Sequence, residues 1–517
     1  MSKNFYTLCR QQFDLQKQFL VTATESFTYQ DLDHCSANRA HWLVDAGLKP
    51  GDRVIVQVQK SVQNLFWYFA CLRAGLIYLP LNTGYQPQEL EYFTANAAPK
   101  LIICDPDQRA IFENIATCQI ETLDTLGAFS SLLPESVDFQ DINVGTDDVA
   151  AILYTSGTTG KPKGAMISHG NLFANAKTLT RVWQWQRDDV ILHALPVFHV
   201  HGLFVATHLP VLNSSTILFL NRFSPEAVIE ALPKASVYMG VPTNYTRLLK
   251  DERFNLATCK NMRLFTSGSA PLLKQTFDQM VAQTGHQIVE RYGMTETGMN
   301  TSNPIEGERK PGTVGLVLPG VEALILDDDN QPVSLDSPGN LLVRGQNVFQ
   351  GYWQMPEKTA DEFTKDGFFK TGDVAAIDAD GYISIVGRDK DMVISGGLNI
   401  YPKEIESIID RIDGVLESAV IGTPDSDFGE AVTAIIVLES NVLENDDLDD
   451  QAVKRNELKH TDLEHKALGP DDIMTQLRPQ LASFKLPKKI HFTPALPRNT
   501  MGKVQKNVLR DIYNGPT

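Results

Sequence analysis

The segment YTSGTTGKPKG, residues 154–164, gathers small and hydroxylated residues and two lysines directly behind the apolar run VAAIL. Glycines let backbone N–H groups turn toward an anion, and the serine and threonine hydroxyls add donors. Lys163 adds a point charge, so the stretch is suited to gripping phosphate. Neither standard nucleotide loop accounts for it. A Walker loop requires G-x-x-x-x-G-K-[ST], whereas Gly157 and Gly160 stand only three apart and Lys161 precedes a proline. The dinucleotide pattern G-x-G-x-x-G does not occur there either. A second group with chemical potential is the pair His199 and His201 in LPVFHVHGLF, with His193 and His208 close by. Alternation on a strand or turn aims both members of the pair to one side. With no cysteine or acidic partner at zinc-ligand spacing, the pair reads as one pocket-lining and one packed histidine.

Groups like these need rigid elements to place them. RVIVQV (53–58), LIYLPL (76–81), KLIICD (100–105), VAAILYT (149–155), VILHAL (190–195), STILFL (215–220) and ASVYMGV (235–241) read as strands. Segments 61–75 and 224–233 read as helices, the second opened by Ser224 as N-cap with Pro225 in the first turn. Alternation of strand and helix predicts parallel sheets faced by helices. After about Thr313 the strands come closer together, which predicts a β-rich region. Asp327-Asp328-Asp329-Asn330 lacks the spacing of an EF-hand and reads as a solvated hairpin turn.

The chain has 517 residues and a net charge of −17, with 43% hydrophobic and 21% charged residues. An acidic surface argues against nucleic-acid and anionic-membrane binding. Six scattered cysteines without C-x-x-C pairs, and a polar N-terminus without an apolar signal core, fit free thiols in a cytoplasmic protein. The most apolar stretches are broken by Arg73 or by histidines and prolines, so no membrane span is expected. Segment 443–466 is charged and poor in aromatics, and reads as a solvated insertion.

YTSGTTGKPKG resembles the signature of the adenylate-forming superfamily, which includes acyl-CoA synthetases, luciferase and peptide-synthetase adenylation domains. TSGSAPL (266–272), ERYGMTET (290–297), KTGDVAAIDADGYISIVGRDKDMVISGGLNIYPKEIE (370–406) and PRNTMGKVQK (497–506) resemble its further motifs, in order. The resemblance implies an α/β fold. A large N-terminal domain of stacked α/β sheets plus a β-rich subdomain spans 1–389, and a small, mobile α+β domain spans 390–517. It also implies a two-step reaction. A carboxylate attacks the α-phosphate of ATP, giving acyl-AMP and pyrophosphate; the thiol of coenzyme A then displaces AMP.

The same resemblance implies roles for residues. Thr155, Ser156, Gly157, Thr158, Thr159, Gly160 and Lys163 hold the β- and γ-phosphates. Glu296 holds Mg2+, and Thr295 contacts the α-phosphate. Tyr292 stacks on adenine beside Gly268, Ser269 and Ala270, with Glu290 and Gly293 also in the nucleotide site. Asp373 takes the ribose hydroxyls, with Arg388 assisting. Lys503 is the mobile catalytic lysine and Lys390 the hinge, while Gly396 and Gly397 let backbone approach the pantetheine arm.

An arginine at the edge of the acyl pocket needs an anion, because an unpaired buried charge is costly. Arg291 precedes Tyr292, and the simplest anion is a second carboxylate on the acid. LNTGYQPQELEYF, LPVFHVHGLFVATH, ERYGMTETGMNTSNPIEGERKPGTVG and NVFQGYWQMPEKT resemble malonyl-CoA synthetases. They imply malonate as the acid, contacted by Arg291, His201 and Ser267, with His201 counted among the catalytic residues too. The alternatives are another short acid such as methylmalonate, or a carrier-protein-loading enzyme. Arg291 paired with Glu290 or Glu296, reading no substrate, is the competing arrangement. A monomer or homodimer is expected.

Overall fold

The computed structural model describes residues 3–155, 162–388, 391–395, 398–425, 429–439, 468–481, 483–499 and 502–514. The chain divides into two compact units. One comprises Met1–Asp336, Leu341–Thr371 and Ile377–Ser384; the other comprises Ser337–Asn340, Gly372–Ala376 and Ile385–Thr517.

The larger unit is built on two mostly parallel sheets. The first has six strands in the order Gln119–Thr122, Leu101–Cys104, Arg53–Gln57, Ile77–Pro80, Val149–Thr155 and Lys163–Ser168. Ile55, Leu79, Ile102 and Ile152 lie in its core against Leu90 and Phe93 of the helix Pro87–Ala97. The second has nine strands: Leu316–Val317, Gly298–Ser302, Ile288–Met294, Leu264–Ser267, Val237–Gly240, Val190–His193, Thr216–Phe219, Gln18–Val21 and Ser26–Thr28. Leu192, Tyr238, Phe265 and Ile288 pack there with Val228, Leu248, Phe277 and Met280. Each such side chain, fully buried, contributes about 1.5–3 kcal/mol. That burial holds the strand ends still, and the strand ends carry the polar residues considered below.

The seven expected strands all form, each within two residues of its expected ends; that of VILHAL stops at His193. Pro196 and the turn before His201 follow it. Both expected helices form, and Ser61 and Ser224 accept hydrogen bonds from Asn64 and Ala227 N–H as N-caps. The strands Val321–Leu326, Gly339–Gly345, Phe369–Ile377 and Ile383–Arg388 make up the β-rich segment. Asp327–Asn330 is the hairpin turn, closed by Asp327 N–H to Gln331 O at 2.9 Å. The six cysteines are free thiols.

The smaller unit carries a five-stranded sheet in which Gly429–Leu438 pairs Val415–Asp425 and Lys489–Phe492. Ile405 and Ile409 of the helix Pro402–Ile409 and Ile473 and Leu477 of Pro470–Leu477 cover it. This is the expected α+β composition. Segment 443–466 lies outside the described residues.

Candidate active site

The parallel strands of the nine-stranded sheet end together. Phe219 pairs with His193, Gly240 with Ser267, and Ser267 with Glu290. Ligands of open α/β sheets bind at such carboxyl ends, where loops bring side chains from several strands together. Beyond Glu290 the strand Ile288–Met294 turns antiparallel to Gly298–Ser302 through a tight hairpin holding Thr295 and Glu296. Arg291 thus leaves the sheet where parallel pairing stops.

Arg291 is 3% exposed, and its Nε and Nη2 have no hydrogen-bond partner among the described residues. Burial lowers its pKa to about 10, so the guanidinium remains cationic at neutral pH. The competing arrangement does not form. Glu290 Oε1 accepts from Leu272 N–H at 3.0 Å, and Glu296 Oε1 accepts from Tyr352 and Thr155. Arg291 makes no ion pair with either. Its guanidinium lies against Gly268 instead.

His201 completes the cluster. It is 1% exposed and starts a single π-helical turn, His201–Val205, rather than lying on a strand. Such turns displace one side chain from the regular helical register and recur at functional sites. Ser269 Oγ is 3.4 Å from His201 Nδ1, while Nε2 has no partner among the described residues. Burial first, then the Arg291 charge, holds this imidazole's pKa well below its ordinary value, so it is neutral. With Nδ1 accepting from Ser269, Nε2 carries the hydrogen and offers a second donor. Ser269 sits at φ +71°, left-handed backbone that serine seldom adopts. Ser267 Oγ is fully buried and also lacks a partner among the described residues. A cation and two neutral polar groups without a partner among the described residues suit an anion.

His199 Nδ1 accepts from the His201 backbone N–H at 3.3 Å. His208 Nε2 meets the Tyr68 hydroxyl at 2.7 Å. Among the described residues no group of three or more His, Cys, Asp or Glu is arranged for a metal ion.

A second cluster surrounds Glu296. Its buried carboxylate accepts from the Tyr352 hydroxyl at 3.0 Å and Thr155 Oγ1 at 3.3 Å. Thr155 closes the strand Val149–Thr155 and pairs in register with Lys163. Lys163 Nζ lies 3.4 Å from Glu362 and 4.2 Å from the Tyr352 ring centroid. A single fixed carboxylate fits a hard cation that takes its other ligands from phosphate oxygens and water. Tyr352 is not singled out by the sequence reading, although its segment, NVFQGYWQMPEKT, is part of the resemblance.

The remaining expected residues are placed as follows. Tyr292 and Gly293 flank a register shift in the strand, and a Cβ on Gly293 would stand 2.0 Å from Gly298 O. Ala270 lies in the loop after Ser269. Asp373 is buried on the strand Phe369–Ile377, and Arg388 ends the strand Ile383–Arg388. In the smaller unit, Lys503 is exposed on a short hairpin, where Asn499 N–H donates to Lys503 O at 2.9 Å. Ser156, Gly157, Thr158, Thr159, Gly160, Lys390, Gly396 and Gly397 lie outside the described residues.

Comparison with known proteins adds to this geometry. The family model described as AMP-binding enzyme matches residues 10–353, and that described as AMP-binding enzyme C-terminal domain matches residues 404–503. The chain is 35% identical over 500 residues to the malonate–CoA ligase of Arabidopsis thaliana, spanning 90% of this chain and 78% of the relative. It is 33% identical over 489 residues to the feruloyl-CoA synthase of an Amycolatopsis species, spanning 94% of each. The crystal structure of ATP-bound MatB from Rhodopseudomonas palustris superposes with a TM-score of 0.92 at 46% identity, over 100% of this chain and 99% of that one.

Proposed function

This chain belongs to the AMP-binding enzyme family, and from that premise we propose that it joins malonate to coenzyme A at the expense of ATP. The carrying observation is buried Arg291, whose Nε and Nη2, like His201 Nε2 and Ser267 Oγ, have no hydrogen-bond partner among the described residues. An apolar or aromatic acid would leave that charge without a partner, which is strongly unfavourable. A short dicarboxylate supplies the missing acceptor and keeps a second carboxylate for the reaction. The likeness to a malonate–CoA ligase and to ATP-bound MatB supports this choice.

In the first step an oxygen of the free carboxylate bonds to the α-phosphorus and the bond to the β-phosphate bridging oxygen breaks, releasing pyrophosphate. In the second the thiolate of coenzyme A bonds to the acyl carbon and AMP leaves with the carboxyl oxygen. Both steps bring anions together, so catalysis consists mainly of alignment and charge neutralisation. Arg291, His201 and Ser267 orient malonate by its distal carboxylate. Thr155, with residues 156–160, takes the phosphates that leave. Glu296, preset by Tyr352 and Thr155, is the carboxylate that would hold Mg2+, which when bound offsets phosphate charge. Thr295 contacts the α-phosphate and Tyr292 stacks on adenine. Asp373 takes the ribose hydroxyls, assisted by Arg388. Lys503 reaches the attacking carboxylate when residues 390–517 swing about Lys390. Free thiols support a cytoplasmic setting.

Exchange of labelled pyrophosphate into ATP, run across malonate, methylmalonate, acetate, a medium-chain acid and ferulate, tests the reading. Malonate should give the highest exchange, with thioester formed on free coenzyme A. Exchange with a monocarboxylate and none with malonate would overturn it.

A further inference from the structure

We propose that Lys60 and His193 are positioning residues that hold His201 in the acid pocket, a role that rests on the malonate reading of that pocket. Lys60 lies between the strand Arg53–Gln57 and the helix Val62–Arg73, yet its amine reaches the other sheet. Nζ donates to His193 O at 2.9 Å and Leu220 O at 2.6 Å, and lies 3.1 Å from His193 Nδ1. It also sits 4.1 Å from the centroid of the Phe219 ring. These contacts tie together the carboxyl ends of two neighbouring parallel strands, Val190–His193 and Thr216–Phe219.

The contact with Nδ1 fixes more than the strands. A ring nitrogen that accepts from a lysine N–H leaves the imidazole hydrogen on Nε2. His193 Nε2 lies 2.9 Å from Gly202 O, so it is the donor there. Gly202 is the second residue of the π-helical turn that His201 begins. Its carbonyl also accepts from the Thr207 hydroxyl at 2.9 Å. On the other side there is no free space, because a Cβ at position 202 would stand 1.9 Å from Pro196 O. The residue following His201 is therefore held from both sides. The aim of the His201 imidazole at Ser269 and Arg291 follows from that backbone position.

A lysine that only stitched two strands would need the two carbonyls and no particular histidine tautomer. Lys60 instead sets the tautomer of a buried imidazole whose other nitrogen ends on the His201 turn. None of its partners among the described residues is a carboxylate. A supporting shell of this kind keeps a first contact within the fraction of an ångström that recognition needs.

Full-length Lys60→Met, His193→Phe, His193→Gln and the double Lys60→Met/His193→Phe variants test this by pyrophosphate exchange, with melting temperatures recorded. Lys60→Met and His193→Phe should raise the KM for malonate on the order of tenfold, within the usual range for outer-shell partners. The KM for ATP should stay within about twofold, because the nucleotide residues sit on other elements. The double variant should be no worse than the poorer single one, as expected of residues acting as a unit. His193→Gln keeps an N–H for Gly202 and an oxygen for Lys60, so it should retain most of the malonate affinity; it also carries the test if His193→Phe does not fold. Equal changes in both KM values, a fall in melting temperature with acid KM unchanged, or multiplying effects in the double variant would overturn the proposal. Should wild-type protein activate a different acid, the malonate reading fails on that result alone. The positioning role is then judged by the same comparison, with that acid's KM against that for ATP.

Discussion

The guanidinium of Arg291 occupies the space a side chain at position 268 would fill: an ideal Cβ on Gly268 stands 2.4 Å from Nη1 and 2.5 Å from Cζ. The glycine expected beside adenine is thus a platform for the acid-binding cation. Gly268→Ala should push Arg291 out of line and lower kcat/KM for malonate about ten- to a hundredfold, the cost of one hydrogen bond to a charged group. The KM for ATP should hardly move in pyrophosphate exchange. An equal rise for ATP would return position 268 to the nucleotide. Arg291→Ala should have the larger effect on malonate, with the same selectivity.

Lys503 is exposed on its hairpin, so Lys503→Ala should change stability by less than about 0.5 kcal/mol. Its effect belongs to adenylation, which should fall about a hundredfold or more as one stabilising charge is lost. Thioester formation from supplied malonyl-AMP should be spared. Rapid-quench measurement of each half-reaction separates the two, and equal loss in both contradicts the assigned role.

Glu296 is oriented by the Tyr352 hydroxyl at 3.0 Å. Tyr352→Phe removes that donor and keeps the ring under Lys163. Loss of a hydrogen bond to a charged acceptor, about 1.5–3 kcal/mol, should lower exchange roughly ten- to a hundredfold. The Mg2+ concentration at half-maximal rate should rise while the malonate KM stays put. A magnesium titration of the variant gives the answer, and an unchanged midpoint would detach Tyr352 from the cation.

Burial holds five imidazoles below the ordinary value of 6.5: His169 at about 4, His208 at about 3, His193 and His201 well below it, and half-buried His286 below it as well. Each binds a proton on unfolding before it does so in the folded unit. Stability therefore falls as pH drops below about 6.5, by up to about 1.4 kcal/mol per pH unit for each histidine. Asp410 acts in the opposite sense: burial raises it to about 6, so its contribution grows in acid and is lost as pH rises through that value. It sits in the smaller unit, whereas all five tryptophans, Trp42, Trp67, Trp183, Trp185 and Trp353, belong to the larger one. Tryptophan-detected urea unfolding should show a midpoint that declines from pH 6.5 to pH 5, and His169→Gln should flatten the decline by about one proton. A flat wild-type profile would contradict the buried neutral state.

The strands were legible because short β-branched runs between glycine, proline and aspartate breaks leave few alternatives. VILHAL was read two residues long because Ala194 and Leu195 are apolar and buried for another reason, Ala194 in the core of the nine-stranded sheet and Leu195 beside Gly202 of the π-helical turn. No periodicity announces a π-helical turn, so the relation of His199 to His201 was not readable. Nor was the Tyr352 contact with Glu296, which joins residues 56 positions apart. Arg291 was readable as a candidate from its neighbours, but that its Nε and Nη2 lack a partner among the described residues is a property of packing. Lys60 bonds to backbone carbonyls 133 and 160 residues away, contacts no local pattern encodes.

The empty valences around Arg291 have a bearing on fidelity. A pocket shaped only by volume separates acids that differ by a methylene about 10- to 200-fold, whereas one built to bond a polar group rejects analogues lacking it by about 10⁴–10⁵. Selection here works chiefly by penalty. A monocarboxylate of any length that enters must strand a cation, and no gain in apolar contact elsewhere makes that good. On the proposed role of Arg291, the error rate among cellular acids is governed by one side chain and its backbone support.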